Sequence, residues 1–260
     1  METVNLERRD GELRITLNRP DSMNAWNKQL GADLLAAVEA ARGDDVRVVV
    51  VTGAGRAFSS GADLRAGFDP TPDGHPDLES VLHGVYHPII TGLRQLPKPV
   101  VAAVNGPAVG IGCSLALAAD LVVARESAYF LLAFVNIGLV PDGGSSLLLP
   151  ERVGLARATE MAMLGERIPA RKALEWGLVN RVTADDELEA AVDELAARLA
   201  AGPTRAYAGI KRQLNHWLFT RMAEQLDLEA SIQQQSAASG DFQEGVQAFL
   251  EKRPAAFSGR

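Results

Sequence analysis

The chain has a single cysteine, Cys113, among 260 residues. One thiol excludes an intramolecular disulfide framework and fits a reducing compartment, so a cytoplasmic setting is expected. A basic excess is also missing. Lys plus Arg number 26 against 33 Asp plus Glu, a formal net charge of −7 at pH 7. Broad binding to nucleic acid or to an anionic membrane needs a basic footprint, so neither partner is expected. A local basic patch for a phosphorylated ligand remains compatible with that total. The segment Met1 to Asp10 has no apolar h-region, so no signal peptide is expected. Nor is there a long unbroken apolar run. The most apolar stretch, Pro99 to Ala124, is interrupted by Asn105, Gly106, Pro107, Ser114 and Asp120. It predicts a buried strand, turn and helix rather than a membrane span. No internal repeat or low-complexity tract stands out. What is abundant is apolar side chain, 47% of residues against 23% charged, enough to bury a sizeable core without staples. The length predicts one large domain or two small ones.

The pattern of those apolar residues predicts an α/β protein. Leu13 to Leu17 alternate after an Asp10-Gly11 turn, the signature of an N-terminal hairpin. Leu30, Leu34 and Val38 recur every four residues and predict an amphipathic helix over Asn27 to Arg42. Val46 to Val51, Val100 to Val104 and Leu121 to Val123 are nearly all apolar and β-branched. Such strands are buried on both faces, as in parallel sheets with helical crossovers. Leu64 to Ser80, with three prolines and several acids, predicts a loop long enough to suspect a function. From about Leu155 the chain reads as mainly helical. A helix over Asp186 to Ala201 is closed by Gly202-Pro203, with Thr204 able to cap the next. Asp241 to Arg253 predicts a last amphipathic helix. We therefore expect a core over 1–200 and a helical region over 201–260 whose apolar faces pack on a neighbouring subunit.

Three glycine-containing segments are candidates for chemistry: Val50 to Leu64, Asn105 to Cys113 and Ile137 to Ser146. The first follows a strand, as a dinucleotide fingerprint would, but Phe58 stands where the third glycine is needed. Tyr207 and Lys211 have the spacing used by short-chain dehydrogenases, without that family's glycine pattern. Nicotinamide binding is therefore set aside. His83 and His87 have a zinc-ligand spacing on a helix, but the glutamate of the zinc-protease motif is missing and no metal is expected.

Taken together and in order, the segments resemble the crotonase (enoyl-CoA hydratase/isomerase) superfamily. The resemblance runs through Leu17-Asn18-Arg19-Pro20, Asn24-Ala25, Ser60-Gly61-Ala62-Asp63-Leu64, Lys98-Pro99-Val100 and Asn105-Gly106. It continues through Ile137-Gly138-Leu139, Pro141-Asp142-Gly143-Gly144, Trp176-Gly177-Leu178-Val179 and Phe249-Leu250-Glu251-Lys252-Arg253. It implies a crotonase-type ββα spiral core, and C-terminal helices that build a homotrimer or a hexamer (a dimer of trimers). It implies an acyl-CoA substrate, with CoA part of the substrate and no separate cofactor. It also implies an oxyanion hole made by the backbone N–H groups of Ala62 and Ile111. Two preorganised donors hold the negative charge that a thioester carbonyl gains when its α-proton leaves, and losing one typically costs on the order of 10²–10³ in rate. Ala25, Gly61, Asp63, Leu64, Gly110 and Phe134 are the further substrate-binding positions. Gly61, Gly110 and Gly112 either let the backbone approach the thioester or mark ordinary turn and packing geometry.

The departures from the family pattern matter more. Hydratases of the family carry two glutamates where this chain has Ser114 and Phe134. Hydration needs a water deprotonated while a proton reaches the α-carbon, and that carboxylate pair is absent. Asp142 remains, in a region where isomerase and dehalogenase relatives present an aspartate to the acyl chain. One base can remove a proton from one carbon and return it two carbons away, which suffices for a double-bond shift. The other reading of Asp142 is a turn residue or helix cap. Asp63 is expected to be structural, orienting its loop or capping a helix. Phe58, Phe68, Phe130 and Phe134 are candidates for an aromatic acyl pocket. Lys252 and Arg253 either reach CoA phosphates or form a solvated face. The segments Leu226-Asp227-Leu228-Glu229, Glu244-Gly245-Val246 and Phe257-Ser258-Gly259-Arg260 add a narrower resemblance to ring-epoxide isomerases of phenylacetyl-CoA breakdown. The sequence thus favours an enoyl-CoA isomerase. A hydratase with atypical residues, a dehalogenase with Asp142 as nucleophile and a catalytically silent acyl-CoA-binding protein stay open.

Overall fold

Asp10 and Gly11 both have positive φ, +49° and +84°, as a tight two-residue hairpin turn requires. They join β1 (Val4–Arg9) to β2 (Glu12–Leu17) in a computed structural model of the chain that describes residues 1–260. Asn27 then caps α1 (Lys28–Ala40), its side-chain oxygen accepting the Leu30 N–H at 2.9 Å. The chain continues through β3 (Val48–Gly53), α2 (Leu78–Val81), α3 (His87–Gln95), β4 (Val100–Val104) and β5 (Ala108–Val109). There follow α4 (Ile111–Ala118), β6 (Leu121–Arg125), β7 (Tyr129–Leu131), α5 (Ser145–Val153), α6 (Leu155–Leu164) and β8 (Ile168–Pro169). The last elements are α7 (Ala170–Glu175), β9 (Arg181–Thr183), α8 (Leu188–Ala201), α9 (Thr204–Leu218), α10 (Met222–Ala237) and α11 (Gly240–Glu251).

The main sheet has the order β1-β2-β3-β4-β6-β9, parallel except for the β1–β2 hairpin. A second small sheet, β5-β7-β8, stands beside it. The apolar runs are buried on both faces, as expected. Val49 and Val51 of β3 face the main core, while Val48 and Val50 pack with Val192 and Leu195 of α8. No helix is long and apolar enough to cross a membrane.

Three expectations need correction. Asp77 accepts the Ser80 N–H at 3.0 Å and starts α2 at Leu78, so helix claims the end of the predicted 64–80 loop. Leu188, not Asp186, begins α8. Thr204 does not cap α9, because its hydroxyl accepts from Arg47 Nε at 3.1 Å.

Two local features matter below, and the first shapes the cavity. Pro88, in the first turn of α3, has no N–H to give to the turn before it. That turn, Leu82–Tyr86, opens to π geometry, with the His87 N–H donating to the Leu82 carbonyl five residues back. The second feature is α9, which is turned inside out. Its one buried residue is Lys211, whose Nζ reaches Asp120 Oδ2 at 2.8 Å and the Leu93 carbonyl at 2.7 Å. Its apolar residues Ile210, Leu214 and Trp217 face outward, Trp217 being 83% exposed.

Candidate active site

The first part of the site is two backbone segments laid side by side. The Ser59 N–H donates to the Pro107 carbonyl at 3.0 Å, and the Val109 N–H donates to the Ser59 carbonyl at 2.9 Å. The Trp26 N–H donates to the Gly61 carbonyl at 2.7 Å, fixing the next residue. Buried Asn24 ties the preceding loop, its Nδ2 donating to the Ala57 carbonyl at 2.8 Å. The two segments approach so closely that a Cβ on Gly61 (φ +91°) would lie 3.0 Å from the Val109 carbonyl oxygen. Gly110, at φ +53° and ψ −127°, makes the turn into α4 in a region closed to other residues. The N–H groups of Ala62 and Ile111 make no hydrogen bond within the chain, and both residues line one cavity. Ile111 is the first residue of α4, so the positive end of that helix adds to its N–H.

The second part is the segment from Val140 to Ser146. Asp142 is buried, and its Oδ2 accepts from Gln233 Nε2 at 2.9 Å while Oδ1 has no partner. The same Gln233 accepts the Val140 N–H at 3.0 Å, so one α10 side chain clamps both ends of the turn. Ser114 Oγ donates to the Asp142 carbonyl at 2.8 Å, as does Ser145 Oγ. Gly143 (φ +61°) packs so tightly that a Cβ there would come within 2.5 Å of Ile111 Cδ1, holding the aspartate turn against the start of α4. The carboxylate of Asp142 makes no capping bond to α5. That service comes from Glu229 of α10, which accepts the Gly144 N–H at 2.8 Å and the Ser146 N–H at 3.0 Å. Burial and then the Glu229 charge push the Asp142 carboxyl up to about 8, against the opposing Gln233 bond. Burial raises Glu229 to about 7.

These parts meet in a cavity of about 420 Å³. Of the sequence-predicted residues, Gly61, Ala62, Leu64, Gly110, Ile111, Phe134 and Asp142 line it. Ala25 and Asp63 do not. The Asp63 carboxylate pairs with Arg19 at 3.0 Å, and the Ala25 carbonyl accepts from the same guanidinium, so both brace the Ala62 loop from behind. Phe68 joins Phe134 in the lining, while Phe58 and Phe130 are fully buried core. Asp142 is the sole carboxyl in the lining. Ser114 and Phe134, at the two family glutamate positions, supply a buried hydroxyl that holds the Asp142 turn and an apolar wall.

Arg253 lines the cavity but forks onto Glu244, with Nη2 to Oε2 at 2.8 Å. Arg167 lines it too, stacked over the Tyr129 ring at 4.6 Å. Burial pushes the Cys113 thiol up to about 12, which suits a packing role. Lys211 of the dehydrogenase-like pair belongs to the Asp120 network and stands apart from the cavity. Sequence reasoning gave no role to Tyr86, Glu229 or Gln233. Glu229 stood within a quoted segment, but nothing local marks Gln233, because its partners lie 91 and 93 residues away.

Comparison with known proteins identifies the family. The family model described as enoyl-CoA hydratase/isomerase matches residues 7–260. A probable enoyl-CoA hydratase of Rhodobacter capsulatus is 46% identical over 258 residues, covering 99% of this chain and 98% of that protein. The 1,2-epoxyphenylacetyl-CoA isomerase of Escherichia coli K12 is 41% identical over 252 residues, covering 96% of each. The crystal structure of an enoyl-CoA hydratase from Mycobacterium avium subsp. paratuberculosis K-10 superposes with a TM-score of 0.90 at 40% identity, covering 98% of each chain. With its α/β core, its paired N–H groups and a match along nearly its whole length, this chain belongs to the enoyl-CoA hydratase/isomerase family of the crotonase superfamily.

Proposed function

We propose that this enzyme shifts a double bond in an unsaturated acyl-CoA, with Asp142 as its single base. The observation that carries this reading is that Asp142 is the sole carboxyl in a cavity that also holds the Ala62 and Ile111 N–H groups. The thioester oxygen accepts from those two N–H groups. Asp142 Oδ1 takes a proton from the α-carbon, and the electron pair of that C–H bond spreads into a dienolate whose charge the two donors hold. The same carboxyl returns the proton to the γ-carbon, leaving the double bond next to the thioester. No second acid is needed and no water is consumed. Clamping of Oδ2 by Gln233 leaves Oδ1 free for this work.

Asp142→Asn keeps the size of the side chain and removes the base. Isomerisation of 3-hexenoyl-CoA is expected to fall by about 10²–10⁴-fold, the usual worth of general acid–base catalysis. Affinity for hexanoyl-CoA should change little. Near-wild-type turnover would leave Asp142 a turn residue. Partial retention of the transferred proton in deuterated water supports a one-carboxyl shuttle.

Hydration is the second reading, favoured by the name of the R. capsulatus relative. It predicts turnover of crotonyl-CoA at roughly 10–10³ per second, the range of good enzymes. The lack of a second carboxyl predicts slow or absent hydration. Tight acyl-CoA binding with neither reaction would mark a catalytically silent binding protein. The same proposal has CoA as part of the substrate, no separate cofactor, a cytoplasmic setting, and a homotrimer or hexamer.

A further inference from the structure

Tyr86 is 6% exposed, and what remains exposed opens into the cavity. Its ring is held edge-on by Trp26, with centroids 5.1 Å apart and planes at 83°. Its position follows from the π turn that Pro88 imposes, which places this residue in the cavity wall with Leu82. The cavity wall is mainly apolar, with Leu78, Leu139 and Phe134 among its residues. The Tyr86 hydroxyl, which keeps access to the cavity, makes no hydrogen bond to any group of the chain, and buried Asp142 Oδ1 has no partner. A phenylalanine would fill the same wall without leaving a polar group idle. Within an apolar cavity a donor and an acceptor therefore both stand without partners.

We propose that the Tyr86 hydroxyl is a specificity-determining donor, selecting acyl groups that carry an oxygen acceptor (hydroxyl, ether or epoxide) beyond the α-carbon. This rests on the acyl-CoA reading above and names its substrate class. The phenol is suited to donation. Burial and the nearby Asp142 charge push its pKa up, so it keeps its proton across the working range. A site with a buried donor disfavours a ligand that leaves the donor unpaired, which is how one hydroxyl discriminates between otherwise equal acyl chains.

The test uses ligands that cannot isomerise. Binding of hexanoyl-CoA is compared by calorimetry with that of 3-, 4- and 5-hydroxyhexanoyl-CoA, in the wild type and in Tyr86→Phe. In the wild type at least one hydroxylated chain should bind better than hexanoyl-CoA. In Tyr86→Phe that ratio should fall roughly 3–10-fold, the worth of one neutral hydrogen bond. The ratio is read within each protein, so any general loss of affinity cancels. An unchanged ratio overturns the proposal. So does a wild type with no preference for any hydroxylated chain, an outcome that decides the matter even if the variant fails to fold. Failure of the isomerase reading is distinguishable, because it appears as absent turnover of 3-hexenoyl-CoA while the hydroxyl preference stands.

Discussion

The carboxyl of Asp142 has one oxygen engaged by Gln233 and one left open, and its elevated pKa has two separable consequences. The first concerns rate. A base must be ionised, so kcat/KM should rise with pH up to about 8, reporting the free enzyme. Because the Glu229 charge helps raise that value, Glu229→Gln should move the acid limb downward. An unmoved limb would mean that another group sets it. The second concerns stability. The carboxyl titrates near 3.8 in an ordinary setting and near 8 in the fold, so between those values the folded state holds a proton that the unfolded chain has released. The stability it contributes is fully present below about 4 and is lost as pH rises through 8. Asp142→Asn lacks this loss, so its melting temperature should gain on the wild type between pH 5 and pH 9. An equal difference at both pH values would refute the linkage. The residues of this site were unequally legible. Ala62, Ile111 and Asp142 sit in short glycine-rich segments whose order along the chain carries information. Glu229 and Gln233 lie on a helix whose local sequence says only that it is helical.

Among the elements, α11 shows how a helix can be placed by a residue it lacks. A Cβ on Gly245 would stand 2.6 Å from Ile137 Cα and 2.7 Å from Ile137 C, backbone atoms that cannot swing aside. Gly245→Ala should therefore push α11 off the 3₁₀ turn at Ala133–Ile137 and cost about 1–3 kcal/mol, as overpacking usually does. Gly245, Ala248 and Phe249 all line the cavity, so acyl-CoA affinity should fall with stability. Urea denaturation together with hexanoyl-CoA titration checks both, and an unaffected variant would show that the helix floats. The strands were readable because burial on both faces leaves nearly continuous valine, as in Val48 to Val51. Helix ends were less so. Thr204 has the chemistry of a cap, but Arg47, distant in sequence, takes its hydroxyl. The π turn before α3 was not read from Pro88, since a proline in a helical stretch signals a break without saying how the chain absorbs it.

At the scale of the whole molecule, α9 hides Lys211 and displays Ile210, Leu214 and Trp217. A helix docked by its charges and exposed by its apolar side chains has a second surface to satisfy. We expect light scattering at micromolar concentration to give three times the 27.7 kDa chain mass, or six times. Trp217→Glu should shift the population toward monomer, and a wild type that runs as a monomer would defeat this reading. The apolar excess of the C-terminal helices was visible in sequence, but their inward role was not. Gln233 holds the Asp142 turn from 91 residues further along the chain. Translation at about 5–20 residues per second puts roughly 5–20 seconds between the two. Until α10 has been made and has folded back, the Asp142 turn lacks both of its Gln233 hydrogen bonds, so the proposed base gains its clamp only when the last helices dock.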